Sequence, residues 1–380
     1  LPVYLVLHLG MSPLAFGVVD GIYQGAAALV RIAAGILSDR WRRHKEVAAL
    51  GYALSAACRL LIPAAGTAWS TIATVIAIDR LGKGIRTAPR DALIAARTPC
   101  KTLATAFGVH RAMDAAGAML GPVLAFAILA IVPGGFDLLF VASFAIAIVG
   151  LGAIALFVPA ASEAERASRP APPLRLSAGL LADPQYRGIL VAGTILGLAT
   201  ISDSFVFLVL QRRLALGATA FPLLYVATSL CTSLFAVPFG RLADRAGRTA
   251  VLLAGYGLLA IVYGALLVPD AGGLLVLAVA LVLLGGYYAA TDGVLTAMAA
   301  AILPRHQSGS GLAVLATATS LARLTAAVGY GYLWTRYGVG PATTASLVAL
   351  AAAIVFAAVI LGRAARHVPR EITPDAEPAA

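Results

Sequence analysis

One polar signature occurs twice in this chain, each time between two long apolar stretches. The first copy reads GILSDRWRRHK, Gly35 to Lys45, and the second GRLADRAGRTA, Gly240 to Ala250. Their common core, Gly-x-Leu-small-Asp-Arg, is displaced by 205 residues. A signature kept in register over that distance implies two homologous halves, so the fold must be one that a duplicated unit can build.

The apolar stretches identify the solvent. Hydrophobic residues make up 61% of the chain and charged residues 12%, where a soluble domain carries about 25% charged residues. About 20 apolar residues cross a bilayer core as a helix. The sequence reads as eleven complete spans, near 13–38, 47–65, 70–95, 103–132, 137–158, 188–210, 220–241, 249–268, 273–303, 308–335 and 341–362. These runs are too long and too uniformly apolar for the alternating strands of a membrane barrel. Leu1 to Leu9 is apolar but too short to cross, and reads as the outer end of a truncated first helix that makes twelve. It has neither the basic start nor the small-residue cleavage site of a signal peptide.

The chain thus reads as an all-α membrane protein in four parts. Residues 1–159 hold six spans, the first incomplete; 160–186 form a Pro-, Ser- and Arg-rich linker; 187–362 hold six more spans; 363–380 are a disordered polar tail. A short amphipathic helix on the membrane surface is expected around Leu174 to Leu181. The net charge of +11 is not distributed as a nucleic-acid binder would distribute it. Lys and Arg gather in alternate loops, at Arg40 to Lys45, Arg97 and Lys101, Arg241 to Arg248, and Arg305. That asymmetry places both signatures and the termini in the cytoplasm, with the helices in the plasma membrane of a prokaryote. Cys58, Cys100 and Cys231 are scattered and read as apolar filler rather than a disulfide framework. No phosphate-binding loop and no metal-spaced His pair occurs, so no cofactor is implied.

The duplicated signature resembles the loop motif of the major facilitator superfamily, and the resemblance covers essentially the whole chain. It implies two pseudo-symmetric six-helix bundles and a latch that holds them together in one conformation. Gly35, Asp39 and Arg43 match the motif in the first copy; Gly240, Asp244 and Arg248 are their counterparts in the second. Arg42 stands where a glycine is usual, while Gly247 keeps it. Physically, the glycine lets two helices meet closely, and the aspartate can accept hydrogen bonds at the positive N-terminus of a neighbouring helix.

The fourth span, IDRLGKGIRTAPRDALIA from Ile78 to Ala95, is heavily charged for its depth. Asp79, Lys83, Arg86 and Arg90 fall on one stripe of a helix, with Arg80, Thr87 and Asp91 on the next. An unpaired charge at bilayer depth costs about 2.5–3.5 kcal/mol, so these groups must face protein, water or one another. Arg80-x-x-Lys83-Gly84 resembles the family's fourth-helix signature, which implies proton coupling for Arg80; Lys83 replaces the usual glutamine. Arg90 and Asp91 read as braces for the Asp39/Arg43 loop. In the fifth span, GVHRAMDAAGAMLGP, His110 and Arg111 lie within a turn of Asp114, which is either a protonation site or a structural partner of Arg111. Gly117-x-x-x-Gly121-Pro122 resembles the family's antiporter signature, with Ala125 and Phe126 in place of its closing glycines.

Asp20, in the second span, is a further candidate proton carrier, and Arg31 lines up with the latch. In the second half Asp203, Asp292 and Arg323 carry the charge, Tyr287, Tyr288 and Thr291 flank Asp292, and Asp292 can pair with Arg323 across adjacent helices. The expected protein is a monomeric secondary transporter of a small molecule working by alternating access. Proton-coupled export by exchange is the first reading, with Asp20, Arg80 and Asp114 handling protons and Lys83, Arg111, Asp203, Tyr288, Asp292 and Arg323 lining the substrate site. The alternatives are a carrier of an organic or inorganic anion bound by Arg80, Lys83 and Arg111, and a membrane protein that binds a partner without transporting.

Overall fold

The computed structural model describes residues 12–14, 27–64, 69–132, 135–159, 178–214, 221–268 and 273–366. The first five helices are α1 (Ala28–Trp41), α2 (His44–Ala64), α3 (Trp69–Arg97), α4 (Leu103–Ile131) and α5 (Phe136–Phe157). After a short α6 (Ala178–Ala182) come α7 (Pro184–Leu198), α8 (Asp203–Arg213), α9 (Phe221–Ala246) and α10 (Arg248–Ala265). The last three are α11 (Gly273–Ile302), α12 (Ser308–Tyr337) and α13 (Val339–Arg366). The described residues contain no strand and nine segments long and apolar enough to cross a membrane. The charged α3 is 29 residues long but is not one of the nine. Most helix ends fall within a few residues of the spans read from hydropathy.

Three differences have physical causes. The span expected over 188–210 is broken into α7 and α8 at Ala199 to Ser202. The break is held from outside: the Ile201 N–H donates to Tyr263 Oη at 2.5 Å, and Ser202 Oγ accepts from the Ser204 N–H at 3.3 Å to cap α8. The duplicated signature, expected in turns, is mostly helical. Gly35 to Trp41 complete α1 and Gly240 to Ala246 complete α9, leaving the reversal to Arg42 and to Gly247. Arg42 adopts the left-handed conformation, with φ 52°. Finally, α6 is not merely a surface helix, since Leu180 is buried in the core of the second helix group; Leu174 to Ser177 lie outside the described residues. All three cysteines are free, but Cys100 is exposed rather than filling a gap.

Helices α1, α2, α3 and α5 pack as one group, with α4 at its edge against α3 and α5, and α7 with α9 to α13 as another. The groups meet most extensively where α4 crosses α9 and α1 crosses α12, and α4 also packs on α11 and α3 on α12. Side chains on the perimeter are apolar and bare: Phe126 is 75% exposed, Ile131 80% and Phe157 81%, as lipid solvent requires. At the crossings, small residues bring backbones together where no hydrophobic drive exists. A Cβ on Gly35 would lie 2.6 Å from the Gly309 carbonyl oxygen, and one on Gly108 would lie 2.4 Å from that of Ala236. Gly117 and Gly121 make no such approach; a Cβ there would meet nothing within 4 Å.

Candidate functional site

The two groups are fastened at one end by a pair of carboxylates. Helix α12 begins after a 3₁₀ turn, Arg305–Gln307, and its N-cap Gln307 makes no side-chain cap. Its first N–H groups therefore need outside acceptors. Asp39, at the end of α1, provides them: Oδ1 accepts from the Gly309 N–H at 2.9 Å and Oδ2 from the Ser310 N–H at 2.6 Å. The same arrangement recurs at α4, which follows the 3₁₀ turn Cys100–Thr102 and likewise lacks a side-chain cap. Asp244, near the end of α9, accepts from the Ala104 N–H at 3.1 Å and from the Thr105 N–H at 2.7 Å. Each aspartate thus caps, in trans, the second and third residues of a helix in the opposite group.

The two latches differ in their cations. Arg248 pairs with Asp244 at 2.9 Å and also donates to the Cys100 carbonyl oxygen. Its counterpart Arg43 is exposed, and Asp39 instead has the His44 imidazole 3.7 Å away, a cation only when protonated. The left-handed turn at Arg42 replaces the glycine turn at Gly247 (φ 105°) at this point. Gly35 and Gly240 set the approach in each case, Gly240 against the Ala104 carbonyl. Arg31 fastens the same crossing deeper down, donating to the Ala316 carbonyl at 2.7 Å and to Ser320 Oγ at 3.0 Å.

Further in, Asp114 is the node of the charged cluster. Its carboxylate lies 3.3 Å from His110 Nε2, 3.8 Å from Arg111 and 4.0 Å from Arg90, with the side chain 49% exposed. Arg90 and Asp91 pair at 2.9 Å. They face Asp114 and Arg31 rather than Asp39 and Arg43, the loop that they were expected to brace. Arg80 pairs with its neighbour Asp79 at 2.7 Å, and the Arg86 guanidinium stacks 4.5 Å over the Tyr52 ring. Lys83 is exposed, and its ammonium makes no hydrogen bond or ion pair among the described residues, while its carbonyl oxygen accepts from Thr87 Oγ1 at 2.6 Å. Asp20 lies outside the described residues.

From the second group, Arg323 of α12 reaches Asp292 of α11 at 3.0 Å, the pairing that the sequence allowed. Arg111 of α4 lies within electrostatic reach of that same carboxylate. Tyr287 and Tyr288 stack beside it, their ring centroids 4.9 Å apart, and Tyr256 adds a third ring 5.3 Å from Tyr287. Asp203 opens α8, its carboxylate accepting from the Ser204 N–H at 2.9 Å. The geometry therefore brings Arg90, His110, Arg111 and Asp114 together, and sets Asp292 and Arg323 opposite. Sequence reasoning missed the receptors of the latch, Ala104, Thr105, Gly309 and Ser310. It also missed the interruption at Ala199 to Ser202.

The Major Facilitator Superfamily model matches this chain over residues 1–217 and 188–379. An uncharacterized MFS-type transporter of Methanocaldococcus jannaschii is 30% identical over 344 residues, which cover 87% of this chain and 82% of that protein. Among solved structures, the human organic anion transporter MFSD10 aligns with a TM-score of 0.77 at 17% identity, over 90% of this chain and 84% of that one. The transporter FucP in its outward conformation aligns with a TM-score of 0.71 at 17% identity, over 91% of this chain and 89% of that one.

Proposed function

Because the chain belongs to the Major Facilitator Superfamily, and is thus a membrane transporter rather than an enzyme, we propose that it moves its small-molecule substrate by proton-coupled alternating access. The observation that carries this reading is Asp114, a half-exposed carboxylate inside the helix bundle with an imidazole and two guanidiniums within 4.0 Å. A proton arriving there cancels the charge that holds Arg90 and Arg111, so protonation and rearrangement of the cluster are one event. The fucose:proton symporter that shares this fold shows that the architecture accommodates such coupling. Arg80 and Asp20 are assigned supporting roles in proton movement on the family resemblance.

The latched end faces the cytoplasm of a prokaryotic cell in this proposal, as the basic loops require, with six helices on each side of the 160–186 linker and the chain acting as a monomer. The sense of coupling follows from the charge of the cargo. A cationic or neutral amphiphile that competes with the proton at Asp114 gives exchange, and hence the export that the fifth-span glycine signature implies. An anion, which shares its cations with Asp114, gives cotransport.

The test is transport in proteoliposomes under an imposed pH gradient, with dicarboxylates, sugar phosphates and lipophilic cations as cargoes. The parent protein is expected to move one class against its gradient, and Asp114→Asn to equilibrate that cargo without accumulating it. Accumulation that survives Asp114→Asn would remove Asp114 from the coupling step.

A further inference from the structure

The charges on α1, α3 and α4 do not balance. Six cationic side chains, Arg31, Arg80, Lys83, Arg86, Arg90 and Arg111, interact with one another and with three carboxylates, Asp79, Asp91 and Asp114. Across the interface Asp292 and Arg323 cancel as a pair. Among the described residues this leaves an excess of three positive charges, at a depth where uncompensated charge is costly. A fixed structural network would carry its own counter-charges. An excess of this kind is what a site leaves for a negative charge that arrives and departs.

The direction of Lys83 says where that charge goes. A helix turns about 100° per residue, so the neighbours of Lys83 fix its azimuth. Gly82 lies against Ser55 and Gly51 of α2, and Gly84 against Ala27 at the start of α1. Lys83 points between those two contacts, roughly opposite Leu81, which is 38% exposed on the outer face. The side chain is exposed, lies in electrostatic range of Arg31, Arg86 and Asp114, and its ammonium has no hydrogen-bond partner among the described residues. Arg111 and Arg323 are part-exposed and reach Asp114 at 3.8 Å and Asp292 at 3.0 Å. Three cationic side chains, one on α3, one on α4 and one on α12, thus stand around Asp114 and Asp292.

We infer that the cargo is a small anion bearing carboxylate or phosphate groups, bound by Lys83 and Arg111 from one helix group and by Arg323 from the other. Lys83 supplies a point charge, and the arginines supply forked donors that suit planar or tetrahedral oxyanions. The inference rests on the carrier reading above but not on proton coupling. Asp114 competes with the anion for the same cations: Arg111 from α4 and Arg90 from α3, with Lys83 and Arg86 in electrostatic range. Neutralising Asp114 with a proton therefore favours loading of the anion, and the two travel together.

The test is thermal stability of the purified full chain with citrate and with inorganic pyrophosphate. Tetraphenylphosphonium and glucose serve as controls, and sodium chloride holds the ionic strength constant. At least one of the two anions is expected to raise the Tm, the controls to leave it unchanged, and Lys83→Gln to weaken the apparent affinity by about tenfold or more. Lys83→Arg keeps the charge and is expected to retain most of the effect, which separates lost binding from misfolding. Stabilisation by tetraphenylphosphonium alone, stabilisation by neither anion, or unchanged anion affinity in Lys83→Gln would each overturn the inference. So would a Lys83-dependent response to phosphatidylglycerol without one to the soluble anions, because the cations would then be reading lipid headgroups. Lys83-dependent anion binding without pH-driven transport would leave this inference standing and defeat proton coupling alone.

Discussion

Asp39 and Asp244 carry more of the account than any other side chains, since each holds two backbone N–H groups that no local residue satisfies. Removing such an acceptor exposes the donors' full desolvation cost. Asp39→Ala is expected to lower the stability of this conformation by about 1–3 kcal/mol, read as a drop in Tm in detergent; an unchanged Tm would show that the contact contributes nothing. Arg42 offers the opposite change. Its left-handed φ of 52° strains a residue with a Cβ, so Arg42→Gly is expected to raise stability by about 1 kcal/mol, and a lower Tm would contradict the strain argument. The Asp292–Arg323 pair is the third case. Arg323→Met leaves the part-buried Asp292 carboxylate without its ion-pair partner, at a cost of about 1–3 kcal/mol, whereas replacing both residues is expected to recover part of that loss. If the double replacement proves no better than the single, the two groups are not coupled.

At the scale of helices, hydropathy located nearly every span, because lipid forces a helix to satisfy its own backbone and to expose an apolar surface. It also located α3, read as the span 70–95, although the charged stripe from Asp79 to Arg90 leaves that helix out of the nine most apolar segments. The break between α7 and α8 was not legible. The segment GLATIS contains no proline, and what stabilises the interruption is Tyr263 on α10, a partner that no local pattern announces. The latch receptors were legible but unread. Pro99 and Pro304 are 205 residues apart, the same displacement as Asp39 and Asp244, and each precedes a 3₁₀ turn and a helix start. The α4–α9 crossing depends on Gly108 and Gly240, where a Cβ would lie 2.4 Å and 2.6 Å from facing carbonyl oxygens. Gly240→Val is expected to force α4 and α9 apart, at a cost of about 1–3 kcal/mol. A variant as stable as the parent would mean that the crossing tolerates separation.

The whole molecule is a duplicated unit whose copies fasten each other reciprocally. The aspartate of the first copy caps a helix of the second group, and the aspartate of the second copy caps a helix of the first. A carrier built this way closes one end with the same carboxylate cap on both sides, and it opens that end by giving up four N–H···O bonds. The charged cluster lies beyond the latch, so a proton or an anion that rearranges Arg90 and Arg111 acts on α3 and α4, and α4 is itself one of the two capped helices. The substrate class and the latch are thereby parts of one cycle.

The most direct test of that cycle is a pair of spin-label distances across the latched end, Trp41 to His306 and Lys101 to Arg245, all exposed positions, with the native cysteines replaced by serine. In the parent protein each pair is expected to show a dominant short distance. In Asp39→Ala/Asp244→Ala the population is expected to shift by tenfold or more towards a longer one, since losses of about 1–3 kcal/mol at each latch exceed a factor of ten together. Distance distributions that are the same in parent and double variant would contradict the claim that these two carboxylates hold the transporter closed.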